Sequence, residues 1–381
     1  MTEPPRPLNM VLFFSDQQRW DTLGSYGQPL DVTPNLDRMA AEGVRFEAAY
    51  CTAPQCSPSR SSLFTGRWPH SNGVLGLTHS YFAWDLHDDE RHLAAILNDA
   101  GYVTAGAGVI HEAADDARPG FGRVLCGQVA DAYALNAPVI RFLRDERPQD
   151  RPFYLQVGYF EPHRTEIGFG APPDTARGVT IPPYIADEPS AREDFAYFQG
   201  AIRRLDGAFG QLLDVLDEQG LADNTLVIFT ADHGIPFPRA KCSLYDAGLE
   251  VALMMRWRGG PWGAGDTVPA LVSNIDVFPA LLELLGLPVP DNVQGRSFLP
   301  LLRGDVTRQR DAIFAEMTYH DYTDPRRCIR TERYKLIVNF TAAFSFMDPS
   351  QQWRSKTITV YPENPKFDYH VPVELYDLHS A

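Results

Sequence analysis

Short apolar runs alternate with helix-length amphipathic segments along most of this chain, and few folds accommodate that alternation. Residues 9–14, 102–105, 153–157, 226–229 and 253–257 read as buried strands. Between them lie helix patterns at 93–99, 130–146, 191–219 and 277–285, and one that Thr33 caps, Pro34 opens and Gly43 ends. In the longest, Phe195, Phe198, Ile202, Leu205, Phe209, Leu212 and Leu216 recur at helical spacing. Strands alternating with helices predict an α/β fold, a large, mostly parallel sheet sandwiched by helices. Past residue 305 the texture shifts to short strand-like pieces at 313–317, 330–338 and 374–378. They predict a small C-terminal α+β domain over 306–381, with antiparallel strands and a helix, beside a main domain over 1–305.

Composition narrows the function classes. The 381 residues suffice for one large core plus a smaller unit. A net charge of −15 opposes nucleic-acid binding, which needs a basic face. It also repels anions at long range, so an anion site must build its own local positive field. Cys51, Cys56, Cys126, Cys242 and Cys328 are scattered and odd in number, and form neither a disulfide framework nor a zinc pattern. No apolar run is long enough to span a bilayer, so no membrane partner is expected. The run at 10–14 is too short for a signal peptide and no small-residue cleavage site follows, so the expected compartment is the cytoplasm. Nothing in the sequence opposes a homo-oligomer.

Three of the strands end in residues able to do chemistry. The first leads into Ser15-Asp16-Gln17, the one at 153–157 into Glu161-Pro162-His163-Arg164, and the one at 226–229 into Ala231-Asp232-His233-Gly234. Ligands of open parallel sheets bind beyond the carboxyl ends of strands, so these clusters meet in one crevice if the strand order allows. Asp16, Gln17, Asp232 and His233 together suit a hard divalent cation. Singly, each has a plainer role, since an aspartate at a strand end readily caps the next turn.

The run Cys56-Ser57-Pro58-Ser59-Arg60 adds a nucleophile. A lone cysteine before a helix is usually just a small apolar residue. The longer stretch from Ala53 to Arg67, however, resembles the nucleophile segment of type I sulfatases of the alkaline phosphatase superfamily, in which the cysteine is oxidised to formylglycine. Glu161-Pro162-His163-Arg164 and the stretch from Asn224 to Pro238 are similar to the sulfamidase branch of that family. The resemblance implies a sulfohydrolase acting on a small sulfated sugar, N-sulfated ones included. Its formylglycine would be made from Cys56 by a formylglycine-generating enzyme. It further implies one divalent ion held by Asp16, Gln17, Cys56, Asp232 and His233, calcium first, with magnesium and manganese as alternatives. Arg60, His111, His163 and Lys241 match catalytic positions of the family. Arg60 and Lys241 would hold the sulfate, His163 or Lys241 would protonate the leaving group, and His111 would assist release. The second hydroxyl of a formylglycine hydrate permits that release by internal elimination, which serine or cysteine could not perform. Asn72, Arg164 and His320 are expected to reach the substrate, although Asn72 before Gly73 is equally at home in a turn.

The chain departs from the family in two places. Asp16-Gln17 stands where two aspartates are commonest, which removes one negative charge. Gly108-Val109-Ile110-His111 lacks the lysine of the family's Gly-Lys-x-His element. Residues 374–378 resemble the family's last strand, which a helical tail normally follows, so the natural chain is expected to be longer. Two other readings stand beside the first. One is a phosphonate monoester or phosphodiester hydrolase on the same scaffold. The other, motivated by Val109, is a non-catalytic sulfate-binding homologue.

Overall fold

Alternating side chains along the first strand set the layers of the molecule. Met10, Leu12 and Phe14 belong to one apolar cluster, with Phe64 and Leu281, whereas Val11 and Phe13 belong to another, with Phe209 and Leu212. A strand buried on both faces lies inside a sheet that helices cover on each side. The computed structural model describes residues 7–79, 81, 84–165, 168–343 and 369–380. Its strands are β1 (Asn9–Ser15), β2 (Val44–Phe46), β3 (Ala49–Tyr50), β4 (Val103–Gly108), β5 (Arg123–Cys126), β6 (Phe153–Gly158) and β7 (Thr225–Ala231). They continue with β8 (Leu253–Arg256), β9 (Asp266–Val268), β10 (Val272–Ser273), β11 (Ala312–Tyr319), β12 (Thr323–Thr331), β13 (Tyr334–Asn339) and β14 (Val373–Asp377).

The large sheet runs β5-β4-β6-β1-β7-β8-β2-β9. Its β5-β4-β6-β1-β7 part is parallel throughout, and β8 runs antiparallel to both β7 and β2. The α/β architecture expected from the alternation is therefore present. The helix Pro189–Glu218 covers one face, where Phe209 meets Phe13 edge-on at 4.9 Å. Helix Cys56–Thr65 covers the other, where Phe64 lies 5.7 Å from Phe14. Register aligns the strand ends, with Phe14 opposite Gly158 and Ser15 opposite Ala231. At the end of β4, Gly108 has φ +83°, and a Cβ there would sit 2.1 Å from the Gly158 carbonyl oxygen, so the close approach of β4 to β6 requires glycine.

Two local expectations are corrected. Thr33 does not cap helix Pro34–Glu42; its hydroxyl accepts the Gly24 N–H at 3.0 Å instead. The Asp206 carboxylate, reaching over from helix Pro189–Glu218, accepts the Asn35 and Leu36 N–H groups at 3.1 and 2.8 Å. The stretch 330–338 is two strands rather than one. The chain turns between Thr331 and Tyr334, and Thr331 Oγ1 accepts the Tyr334 N–H at 2.8 Å.

The remaining sheet is antiparallel, in the order β11-β12-β13-β14, and no helix lies among the described residues after 305. Ile313, Ala315, Met317, Cys328 and Ile337 join the same apolar cluster as Phe14. Lys335 Nζ and Arg330 Nε donate to the two oxygens of Asp246 at 2.7 and 3.3 Å, which ties this sheet to the segment after β7. Among the described residues, no helix is long and apolar enough to cross a membrane.

That junction is pH-sensitive. Burial, and then the Asp246 charge, push the Glu250 carboxyl from 4.5 up to about 8. Between those values the folded chain holds a proton that the unfolded chain has lost, so stability falls as pH rises through the window. In urea titrations Glu250→Gln is expected to raise the unfolding midpoint above wild type beyond pH 8, with the gap closing as pH falls to 4.5.

Candidate active site

Neighbouring strand ends deliver the reactive groups to one place. The chain leaves β1 at Ser15 and β7 at Ala231, which pair, so Asp16 emerges beside Asp232 and His233. Helix Cys56–Thr65 presents Cys56 at its first residue. Ligand atoms of Asp16, Cys56, Asp232 and His233 all lie within 4.8 Å of one another, and all four residues are buried. Cys56 Sγ is 3.6 Å from Asp16 Oδ1 and 3.3 Å from His233 Nε2.

Arg60 follows one helical turn after Cys56 and is wholly buried. Its Nε donates to Asp232 Oδ2 at 3.1 Å, Nη2 to Asp16 Oδ2 at 3.2 Å and Nη1 to the Val109 carbonyl at 3.2 Å. The guanidinium carbon also lies 4.7 Å from the centre of the Phe14 ring. Arg60 thus organises the carboxylates from within rather than facing an anion across open space. Val109 serves here through its backbone, so the lysine missing from its side chain does not disturb this cage.

The two carboxylates are unlike. Burial and the neighbouring Asp232 push Asp16 up to about 7. Asp232 is also buried, yet His233, Arg60 and the Gln17 N–H hold it down to about 2. Burial pushes the Cys56 thiol well above its ordinary value, helped by Asp16. His233 is pushed down to about 4 by burial, so its ring is neutral at pH 7. Its Nδ1 lies 2.8 Å from the Gly234 carbonyl oxygen, which assigns the proton to Nδ1 and leaves a lone pair on Nε2 facing Cys56.

This donor set fits a divalent cation. Two carboxylates and an imidazole lone pair converge, and Arg60 is the cation that both carboxylates share. Gln17 fits less well than its position suggests. Its Oε1 accepts the Arg164 N–H at 3.0 Å, and its Nε2 is buried with no partner among the described residues. The amide oxygen expected to face the ion is therefore committed elsewhere.

Other expected site residues divide into two groups. Lys241 lies close enough for its charge to act on Asp16, Cys56, His163 and His233. His163 stacks on Phe160, with ring centres 4.6 Å apart, and its Nδ1 is 2.6 Å from the Arg164 carbonyl oxygen. His111 stands at the end of β4 against His79, ring centres 4.3 Å apart. His320, between β11 and β12, pairs through Nδ1 with Asp321 at 3.1 Å, and its charge reaches His79.

Arg164 and Asn72, by contrast, hold the fold rather than a substrate. Arg164 forms a two-pronged pair with Asp194 at 2.8 and 2.9 Å, sandwiched between Phe169 and Phe237 at 4.3 and 4.6 Å. Asn72 is fully buried; it donates to Ser61 Oγ and Thr65 Oγ1, both at 3.3 Å, and accepts the Val74 N–H at 3.0 Å. Two groups near the centre carried no sequence signal, namely His79 and Glu112. Glu112 is buried and accepts from Gln156 Nε2 at 2.9 Å, and burial pushes it up to about 7. Removing one partner of a buried ion pair costs roughly 3–5 kcal/mol. Arg164→Ala should therefore lower unfolding free energy by about that much in urea titration, rather than only raising KM.

The arrangement has clear relatives. The family described as Sulfatase matches residues 8–287, and that described as N-sulphoglucosamine sulphohydrolase, C-terminal, matches 237–358. N-sulphoglucosamine sulphohydrolase of Homo sapiens is 30% identical, over 90% of this chain and 75% of its own. Arylsulfatase A of Homo sapiens is 27% identical, over 98% of this chain and 82% of its own. The phosphonate monoester hydrolase of Agrobacterium radiobacter shares the fold at a TM-score of 0.72 and 21% identity, over 94% of this chain and 92% of its own. A protein solved with its substrate D-glucosamine-2-N,6-O-disulfate shares it at 0.71 and 20% identity, over 98% and 92%. With the family match spanning most of its length and the buried Asp-Cys-Asp-His centre at the strand ends, the chain belongs to the sulfatase family.

Proposed function

We propose that this sulfuric ester or sulfamate hydrolase removes sulfate from a small sulfated sugar, with N-sulfated glucosamine as the leading candidate, through formylglycine derived from Cys56. The observation that carries the reading is the cluster of Asp16, Cys56, Asp232 and His233 around the buried Arg60. Sulfamidase relatedness over most of the chain supports the N-sulfated sugar.

When present, formylglycine supplies a geminal diol as nucleophile, and a divalent ion supplies Lewis acidity. The chain's own groups do the rest. Arg60 keeps Asp16 and Asp232 apart and aimed, and His233 offers the Nε2 lone pair. The mixed nitrogen and oxygen donors, with Gln17 committed to Arg164, suit manganese better than the all-oxygen sites that calcium and magnesium prefer. Lys241 supplies the local positive charge that a chain of net charge −15 needs to hold an anion. His163 is kept neutral by burial and by Lys241, and its Nδ1 is engaged by a carbonyl, so Nε2 accepts protons rather than giving them. The leaving group therefore takes its proton from Lys241. Val109 holds Arg60 through its backbone carbonyl, a contact that any side chain at 109 would leave in place.

Mass spectrometry of the tryptic peptide 46–60, from protein co-expressed with a formylglycine-generating enzyme, tests the chemistry. An aldehyde at Cys56 beside an intact Cys51 thiol is expected; two intact thiols would overturn the formylglycine route. Turnover then tests the substrate. N-sulfoglucosamine and an aryl sulfate should be hydrolysed faster than an aryl phosphodiester, and the reverse order would move the reading to phosphonate monoester hydrolysis.

A further inference from the structure

The mouth of this site carries an imidazole, His79, that the chemistry above leaves without a task. His79 is exposed, and its ring lies 4.3 Å from that of His111, the planes tilted by 33°. The residue before it is pinned to the nucleophile helix. The Thr78 N–H donates to Ser57 Oγ at 3.1 Å, and Thr78 Oγ1 donates to the His111 carbonyl at 3.2 Å. Ser57 directly follows Cys56, so one hydrogen bond fixes His79 relative to the nucleophile and a second fixes it relative to His111. His320 and Lys241, from two further segments, stand close enough for their charges to act on His79.

Partial burial of the His79 ring, then Lys241, His320 and Arg60, hold it below the ordinary histidine range, which favours the neutral form at pH 7. Burial, with His79 and Arg60, pushes His111 down to about 3. A neutral imidazole presents one donor and one acceptor. An anionic sulfuryl group uses only the donor, whereas a hydroxyl or amino group uses both. His111, which also hydrogen-bonds Gln128, backs the exposed His79 ring from the buried side of this wall. A sulfuryl group held between Cys56 and Lys241, whose charge acts on Cys56 and His79 alike, would leave the departing group to extend toward this wall.

We propose that His79, backed by His111, forms a hydrogen-bonding subsite for the hydroxyl- or amino-bearing ring that leaves, so that this site selects sugar sulfates and sulfamates over aryl sulfates. The proposal rests on the sulfohydrolase reading. A site that hydrogen-bonds a substrate hydroxyl discriminates against an analogue lacking it, here by about tenfold or more. The ratio of kcat/KM for N-sulfoglucosamine to that for 4-nitrophenyl sulfate should fall by about that factor in His79→Ala, mainly through KM. His79→Gln, which keeps a donor and an acceptor, should recover part of it.

An unchanged ratio in His79→Ala, with both substrates still turned over, overturns the subsite. So does an equal loss on both substrates that His79→Gln does not relieve. Wild type that turns over neither substrate would defeat the sulfohydrolase reading instead. Calorimetric binding of N-sulfoglucosamine would then decide: weaker binding to His79→Ala than to wild type supports the subsite, and equal binding overturns it.

Discussion

The site is built around a single buried guanidinium. Arg60 reaches Asp232 beyond β7, Asp16 beyond β1 and the Val109 carbonyl beyond β4, and the helix that carries it also carries Cys56. Two carboxylates brought out of water beside each other would repel strongly, and burial alone penalises each. The shared guanidinium makes their approach tolerable, and its rigid fork sets their orientation. Cys56, one turn earlier on the same helix, takes its place from the same anchoring.

The compensation is incomplete, and that incompleteness is useful. Asp232 ionises easily because His233, Arg60 and backbone N–H groups favour its charge, whereas Asp16 is pushed up to about 7. A centre with one hard carboxylate, one that is readily displaced from its proton, and a neutral imidazole nitrogen is prepared for a cation. Lys241 adds positive charge close enough to act on Cys56, so an acidic protein can still present a locally attractive pocket to an anion.

Several polar residues that look functional in sequence proved to be structural, for one physical reason. A charge or amide close to a strand end is equally able to bind a ligand or to satisfy the backbone, and burial decides between them. Arg164 is enclosed by Asp194 and two phenylalanine rings, and Asn72 completes the end of helix Cys56–Thr65. Gln17 spends its oxygen on the Arg164 N–H, so even the departure from two aspartates is read differently once its neighbours are known. Val109 is the converse case: its side chain breaks the family pattern, but its carbonyl is what Arg60 uses.

Much was legible in the chain alone because it depends on short-range regularities. Apolar periodicity marked β1, β6, β7 and the helix Pro189–Glu218, and the run around Cys56 carried the resemblance to the sulfatase family. The turn that splits β12 from β13 escaped notice because Glu332-Arg333 carries no glycine, proline or asparagine to announce it. Only the tertiary structure decided that β4, β6, β1 and β7 are neighbours, which places Asp16, Asp232, His163 and His111 along one edge. Only it decided that Asp206 rather than Thr33 caps a helix, and that His79 faces His111. Local patterns record what each segment buries, whereas hydrogen-bond partners and fields are set by residues distant in sequence, whose positions exist only once the sheet is assembled.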